Sequence, residues 1–146
     1  MGFSLSKLLS SNKSKTNDSV DSIINDVENT PFGFSENNVL YAGLNELGGY
    51  YFFQSIIIGS LNIRTKHGAQ LFLIGNDFEL QLNADMLELE SEASNIKGRN
   101  ITKIDFEIDA SEAQKLESSG VNTIRLKLKK HNVEFTRYTV INEEEE

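Results

Sequence analysis

Residues 48–59, GGYYFFQSIIIG, combine a turn signal with the densest apolar run of the chain. The adjacent glycines Gly48 and Gly49 favour a tight turn. Aromatic and β-branched residues dominate residues 50–58, which predicts a β-strand. Side chains of a strand alternate between two faces, so both faces would be apolar here. One face would join the core, and the other needs a helix, a second sheet, another subunit or a ligand to cover it.

A two-residue alternation of apolar and polar side chains continues beyond this stretch. In residues 77–82, Phe78, Leu80 and Leu82 alternate with acidic or amide residues. In residues 86–92, Leu87 and Leu89 would share the inward face. Similar segments lie at residues 60–66, 70–74, 101–109, 122–130 and 133–140. Short strands separated by turn residues predict a mainly β fold, an antiparallel sandwich, roll or barrel of about eight strands.

Two short helices complete this prediction. In residues 19–28, apolar residues recur at i, i+3, i+4 and i+7, as on one helix face, and Pro31 ends the pattern. A second helix at residues 110–119 would begin after a cap at Asp109 or Ser111. It offers the one place where two successive strands could run parallel.

Charge divides the chain into three parts. Residues 1–17 form a basic arm, rich in Ser, Asn and Lys, which predicts a flexible segment. Residues 18–142 form a single β-rich domain, and the four glutamates of residues 143–146 form an acidic tail.

Composition excludes several classes of protein. There is no cysteine, which removes disulfides, thiol nucleophiles and thiolate zinc sites, and fits a cytoplasmic protein. The net charge of −8 disfavours binding to nucleic acid. The sequence contains neither a run of about 20 apolar residues nor a secretory signal, so we expect no membrane span and no export.

The first residues raise the question of lipidation. Gly2 and Ser6 fit the pattern M-G-x-x-x-[ST], which is typical of N-myristoylation. Lys7, Lys13 and Lys15 would add the electrostatic attraction that a single acyl chain needs for stable membrane binding. The alternative is an unmodified arm whose apolar residues pack on the domain or on a partner, because a short motif does not decide between them.

The apolar strand suggests a second candidate site. The candidate surface for a protein partner or an apolar ligand comprises Tyr50, Tyr51, Phe52, Phe53 and Phe72. Tyr51 and Phe53 would share one face, and Tyr50 and Phe52 the other.

Rows of charge suggest a third site. One row is basic (Arg125, Lys127, Lys129), and another is acidic (Asp105, Glu107, Asp109). On neighbouring strands such rows would pair and set the register, at about 0.2–1 kcal/mol for each pair. Alternatively, Arg125, Lys127, Lys129 and Lys130, with His131, form a strip that binds an anionic partner, provided that no acidic strand lies beside it.

Acidic and imidazole side chains are the candidates for catalytic or metal-binding groups in this chain. Asp105, Glu107 and Asp109 could jointly bind calcium or act as a glycosidase pair, but alternating acids are more typical of a solvated strand face. His67 and His131 precede turn residues and are expected to be solvated. We therefore nominate no catalytic, cofactor-binding or metal-binding residue, and expect no cofactor.

The leading functional hypothesis is a non-enzymatic interaction or binding module that binds a protein partner and self-associates. One alternative is a membrane-surface protein anchored by its N-terminal arm. Another is a β-barrel that binds an apolar ligand in its interior.

Overall fold

The computed structural model describes residues 20–139. Its helices are α1 (Val20–Asp26) and α2 (Ala110–Ser118). Its strands are β1 (Gly33–Phe34), β2 (Asn38–Leu47), β3 (Tyr50–Gly59), β4 (Arg64–Thr65), β5 (Gln70–Ile74), β6 (Glu79–Ala84), β7 (Leu89–Glu90), β8 (Glu92–Ala93), β9 (Asn100–Ile108), β10 (Thr123–Lys127) and β11 (Asn132–Arg137). Gly2, the predicted arm and the predicted acidic tail lie outside these residues. Within residues 20–139, neither helix has the length and apolarity needed to cross a bilayer.

Eight of the strands close into an antiparallel barrel. Around the ring the order is β1-β2-β3-β9-β6-β5-β10-β11, and β11 pairs with β1 to close it. Two short ladders are added outside the ring, β4 with β7 and β8 with the start of β9. The predicted mainly β class with two short helices is confirmed, and the barrel is the one of the three predicted architectures that forms.

The parallel pairing that was possible around the second helix does not form. β9 pairs with β3, β6 and β8, whereas β10 pairs with β5 and β11, so the two strands are not neighbours. After β9 the chain leaves the barrel wall. Ala113 and Leu116 of α2 then pack into the core, and the chain returns to the wall as β10.

The hairpin of β2 and β3 has the predicted Gly-Gly turn. Gly48 and Gly49 have φ angles of +60° and +88°, a left-handed conformation that costs glycine little. Two such residues match the twist of a two-residue hairpin loop, with Leu47 opposite Tyr50 on either side. This turn fixes the register of the longest ladder in the barrel.

The interior of the barrel is a packed core. Side chains at alternate positions point inward, and Phe53, Phe106 and Phe135 are each at most 1% exposed. Ser55 is a polar exception on the inner face, and its hydroxyl donates to the Ile104 carbonyl at 2.8 Å. The alternation predicted for these strands therefore corresponds to the inside and outside of the barrel wall.

Residues 60–66 follow the predicted burial but do not form the predicted long strand. Leu61 and Ile63 are buried, yet strand pairing is confined to β4. The Leu61 N–H donates to the Asn38 side chain, and the Ile63 N–H donates to the Ser91 hydroxyl, both at 2.9 Å. Side-chain acceptors thus take the place of a neighbouring strand.

Leu87 is also an exception to the alternation. It is 65% exposed, whereas Leu89 is buried. The chain between β6 and β7 forms no ladder, so nothing imposes a two-residue period there.

Helix α1 lies on the outside of the barrel. Its Ile23 forms a second buried cluster with Val39 of β2, and Ile58 of β3 is partly buried against that cluster. Asp26 forms an ion pair at 3.1 Å with Arg99, which is only 5% exposed. A helix was one of the covers considered for the second apolar face of β3, but α1 reaches only one end of the strand, because Tyr50 at the other end is 72% exposed.

Helix α2 begins with a capping box, which leads to a pH-dependent prediction. The Asp109 carboxylate accepts the Glu112 N–H at 2.8 Å and the Ser111 hydroxyl at 2.9 Å. These hydrogen bonds, chiefly that from Glu112, lower the pKa of Asp109. A lowered pKa gives stability that is present above about pH 4, the ordinary value for Asp, and is lost as the pH falls through the lowered pKa. We expect Asp109→Ala to lower the free energy of unfolding at pH 7, and this deficit to shrink below pH 4.

Urea unfolding at pH 3, 5 and 7 measures this difference. Asp109→Asn is the matched control, because asparagine keeps an acceptor at the cap but does not titrate in this range. It should retain most of the stability at pH 7. A deficit of Asp109→Ala that is equally large at pH 3 and pH 7 would contradict a role for the ionised carboxylate.

Candidate functional site

A basic pocket lies at one end of the barrel, between two turns. The β5–β10 ladder pairs Gln70 with Lys127, which brings the turn before β5 beside the turn after β10. The pocket between them has a volume of about 330 Å³. Its lining residues are Arg64, Thr65, Lys66, His67, Leu128, Lys129, Lys130 and His131.

Backbone hydrogen bonds shape both turns. The Leu128 N–H donates to the His131 carbonyl at 2.8 Å, which closes the turn after β10. In the other turn, Gly68 has a φ of +74°, and its N–H donates to the Leu87 carbonyl at 2.8 Å. Leu128 is itself buried in the hydrophobic core, and this packing anchors the basic turn to the barrel.

The basic side chains of the pocket have few acidic partners. Arg64 forms an exposed ion pair with Glu90 at 3.2 Å. Lys129 Nζ lies 3.4 Å from His67 Nε2. The ion pairs formed among residues 20–139 include neither Lys66 nor Lys129 nor Lys130. This end of the barrel is therefore locally positive on a chain whose net charge is −8.

A second, smaller cavity extends this pocket. It has a volume of about 260 Å³ and shares His67, Leu128 and Lys129 with the first. Its lining also includes Lys127 and the exposed Leu87. Together the two cavities form a groove with cationic walls and one exposed apolar side chain, which we call the basic groove.

The structure brings together most of the strip predicted from the sequence. Lys129 and Lys130 lie in the pocket, and Lys127 lies in the adjoining cavity. Arg125 stands apart, because Glu134 on β11 forms an ion pair with it at 3.6 Å.

The pairing of acidic and basic rows is wrong. Asp105 lies opposite Gln54, and Glu107 lies opposite Phe52 and Asn83, so neither faces β10. Asp109, the third acid of that row, caps α2. Because the acidic strand lies elsewhere in the ring, the condition set for an anion-binding strip is met at Lys127, which lies opposite Gln70 and Asn132.

The strip predicted from the sequence did not include three basic or imidazole residues of the pocket, Arg64, Lys66 and His67. A signal was present, because both histidines of the chain follow a lysine, in Lys66-His67 and in Lys130-His131. Each pair lies in a turn, as predicted for the histidines. What the sequence did not reveal is that β5 and β10 pair, which brings the two turns together.

The five aromatic residues proposed as an apolar surface do not lie together. Tyr51 and Phe53 point into the barrel, and Phe53 is only 1% exposed. Tyr50 and Phe52 lie on the outer face of β3, whereas Phe72 lies on β5, which is separated from β3 by β9 and β6. Self-association at the exposed end of β3 stays a prediction.

Asp105 and Glu107, two of the acids considered above as catalytic or metal-binding groups, lie near Asp85. The Asp85 N–H donates to the Asp105 carbonyl at 2.9 Å. Partial burial, followed by the charges of Asp105 and Glu107, raises the pKa of Asp85. Among residues 20–139, no group of three or more acidic or histidine side chains is placed to hold a metal ion.

The chain matches no known protein-family model, and neither a curated protein nor a solved structure is significantly similar to it.

Proposed function

We propose that this barrel is a non-enzymatic binding module of the cytoplasm, which takes an acidic segment of a protein partner in the basic groove. The observation that carries the proposal is the convergence of basic side chains from two turns around one pocket, on a chain that is otherwise acidic. Such a cluster attracts anionic partners and raises the rate of association. The absence of cysteine supports the reducing compartment.

The shape of the groove favours a peptide over other anions. Two adjoining cavities with shared lining residues give room for several side chains of a peptide, and the exposed Leu87 gives an apolar contact beside the cations. Neither cavity is lined by Phe or Tyr. Single-stranded nucleic acid is normally held by aromatic stacking as well as by cations, so the groove favours carboxylates.

Fluorescence anisotropy with a labelled Glu-Glu-Leu-Glu-Glu peptide tests the proposal. We expect the triple variant Lys66→Gln, Lys129→Gln, Lys130→Gln to weaken binding about tenfold, since each exposed charge pair contributes about 0.2–1 kcal/mol. The matched control is the triple variant Lys97→Gln, Lys103→Gln, Lys115→Gln, which changes the net charge equally at exposed lysines outside the groove. It should weaken binding less than twofold.

The salt dependence of binding and the binding of a labelled nucleic acid provide two further tests. Raising the salt from 50 to 500 mM should weaken binding of the unaltered protein far more than binding of the groove variant, because the lost contacts are ionic. Equal weakening by the groove and control variants would contradict the proposal, as would tighter binding of labelled oligothymidylate than of the peptide.

A further inference from the structure

A larger cavity lies at the opposite end of β10 from the basic groove. At the end of β10, Lys127 and the residues after it line the groove, whereas Gly120 and Val121, just before β10 begins, line this cavity. Its volume is about 720 Å³, within the range of small-molecule sites. Leu44 and Leu116 contribute to its apolar lining. We call it the mouth cavity.

One cation is fixed at this cavity. The Arg137 guanidinium lies over the Phe32 ring, with Cζ 4.0 Å from the ring centroid. Its Nη1 donates to the Phe32 carbonyl at 2.8 Å and to the Tyr138 carbonyl at 3.1 Å. Both protons of Nη1 are thereby used, and the group is held in one orientation. The Nε and Nη2 protons remain as further donors of the same planar fork.

No carboxylate among residues 20–139 forms an ion pair with the Arg137 guanidinium. The ion pairs among residues 20–139 join Arg64, Arg99 and Arg125 to carboxylates and leave Arg137 out. Glu117 of α2 also lines the cavity without an ion pair to Arg137. Desolvation by burial lowers the pKa of Arg137, although a guanidinium remains charged at neutral pH. A partly desolvated cation gains from an anion that can accept two parallel hydrogen bonds.

From this geometry we propose that the mouth cavity binds a small amphipathic carboxylate, with its carboxylate on Arg137 and its apolar body against Phe32, Leu44, Phe53 and Leu116. The apolar part of the lining favours an anion with an apolar body, and the fixed guanidinium favours a planar acceptor that takes two hydrogen bonds. This site is separate from the basic groove and does not depend on it.

Calorimetric titration with dodecanoate tests this site on the full chain. We expect one dodecanoate for each chain, bound at least tenfold more tightly than dodecanol, which has the same tail without the charge. Arg137→Gln should reduce dodecanoate affinity at least tenfold and leave dodecanol unchanged. Glu117→Gln should strengthen dodecanoate binding, because it removes a negative charge from the cavity lining.

The variants separate the site from loss of folding. Arg137→Lys keeps the charge without the fork and should give an intermediate affinity. Ala42→Phe, which places a ring in the cavity lining, should weaken both probes. Equal binding of dodecanoate and dodecanol would overturn the proposal, as would dodecanoate binding that Arg137→Gln does not change. Binding that appears only after Glu143–Glu146 are all replaced by Gln would assign the cavity to the chain's own tail and overturn it as well.

Discussion

Phe106→Ala should lower the free energy of unfolding by about 3–5 kcal/mol. Phe106 is 1% exposed and lies opposite Phe53 in the β3–β9 ladder, with Ala84 of β6 on its other side. Its ring belongs to the core cluster of the barrel, and the backbone ladders on both sides of β9 limit collapse into the vacated space. Urea denaturation followed by circular dichroism measures the loss.

Two controls bracket this prediction. Phe106→Leu nearly preserves the volume and should cost less than about 1.5 kcal/mol. Phe72→Ala removes the same side chain from the outer, half-buried face of β5, and should cost about 1 kcal/mol or less. Losses of similar size for Phe72→Ala and Phe106→Ala would contradict the assignment of inner and outer faces.

Gly59→Ala is the second large effect, at about 3 kcal/mol or more. A Cβ at Gly59 would overlap the Asn37 carbonyl oxygen and lie 2.5 Å from Asn38 Oδ1. The φ of +155° is also one that residues with a side chain rarely adopt. The methyl group would displace Asn38, whose side chain accepts the Leu61 N–H, and the buried segment after β3 would lose that support.

Gly43→Ala is the matched control in the partner strand. No atom lies within 4 Å of a Cβ built there, and Gly43 lies opposite Gln54 in the same hairpin. Because alanine restricts the unfolded chain more than glycine does, Gly43→Ala should be neutral or stabilise by up to about 1 kcal/mol. Thermal unfolding of both variants distinguishes a close contact at one glycine from a general need for glycine in the hairpin.

The inner faces of the strands could be predicted from the sequence, because burial on one side of a sheet requires a two-residue period. The alternation in residues 77–82 places Leu80 and Leu82 on one face, and both are buried. The order of the strands could not be predicted. Ring closure pairs Gly33 with Arg137, and no local pattern relates residues so far apart in the chain.

Half of the basic groove could be predicted because it depends on the local sequence. Lys127, Lys129 and Lys130 lie close together in the chain, so a charge pattern identifies them. Arg64 and Lys66 lie beside them only because β5 pairs with β10. This pairing belongs to the tertiary structure and cannot be read from the local sequence. The position of Arg137 over Phe32 was equally out of reach, since it depends on the β1–β11 pairing.

The pairing of β1 with β11 has a consequence during synthesis on the ribosome. The barrel cannot close until β11 has left the exit tunnel, so the apolar side chains of the earlier strands stay incompletely covered until then. Nascent chains in this condition are prone to aggregate and are common clients of chaperones. The need for chaperones therefore depends on how late the short β1–β11 ladder can form.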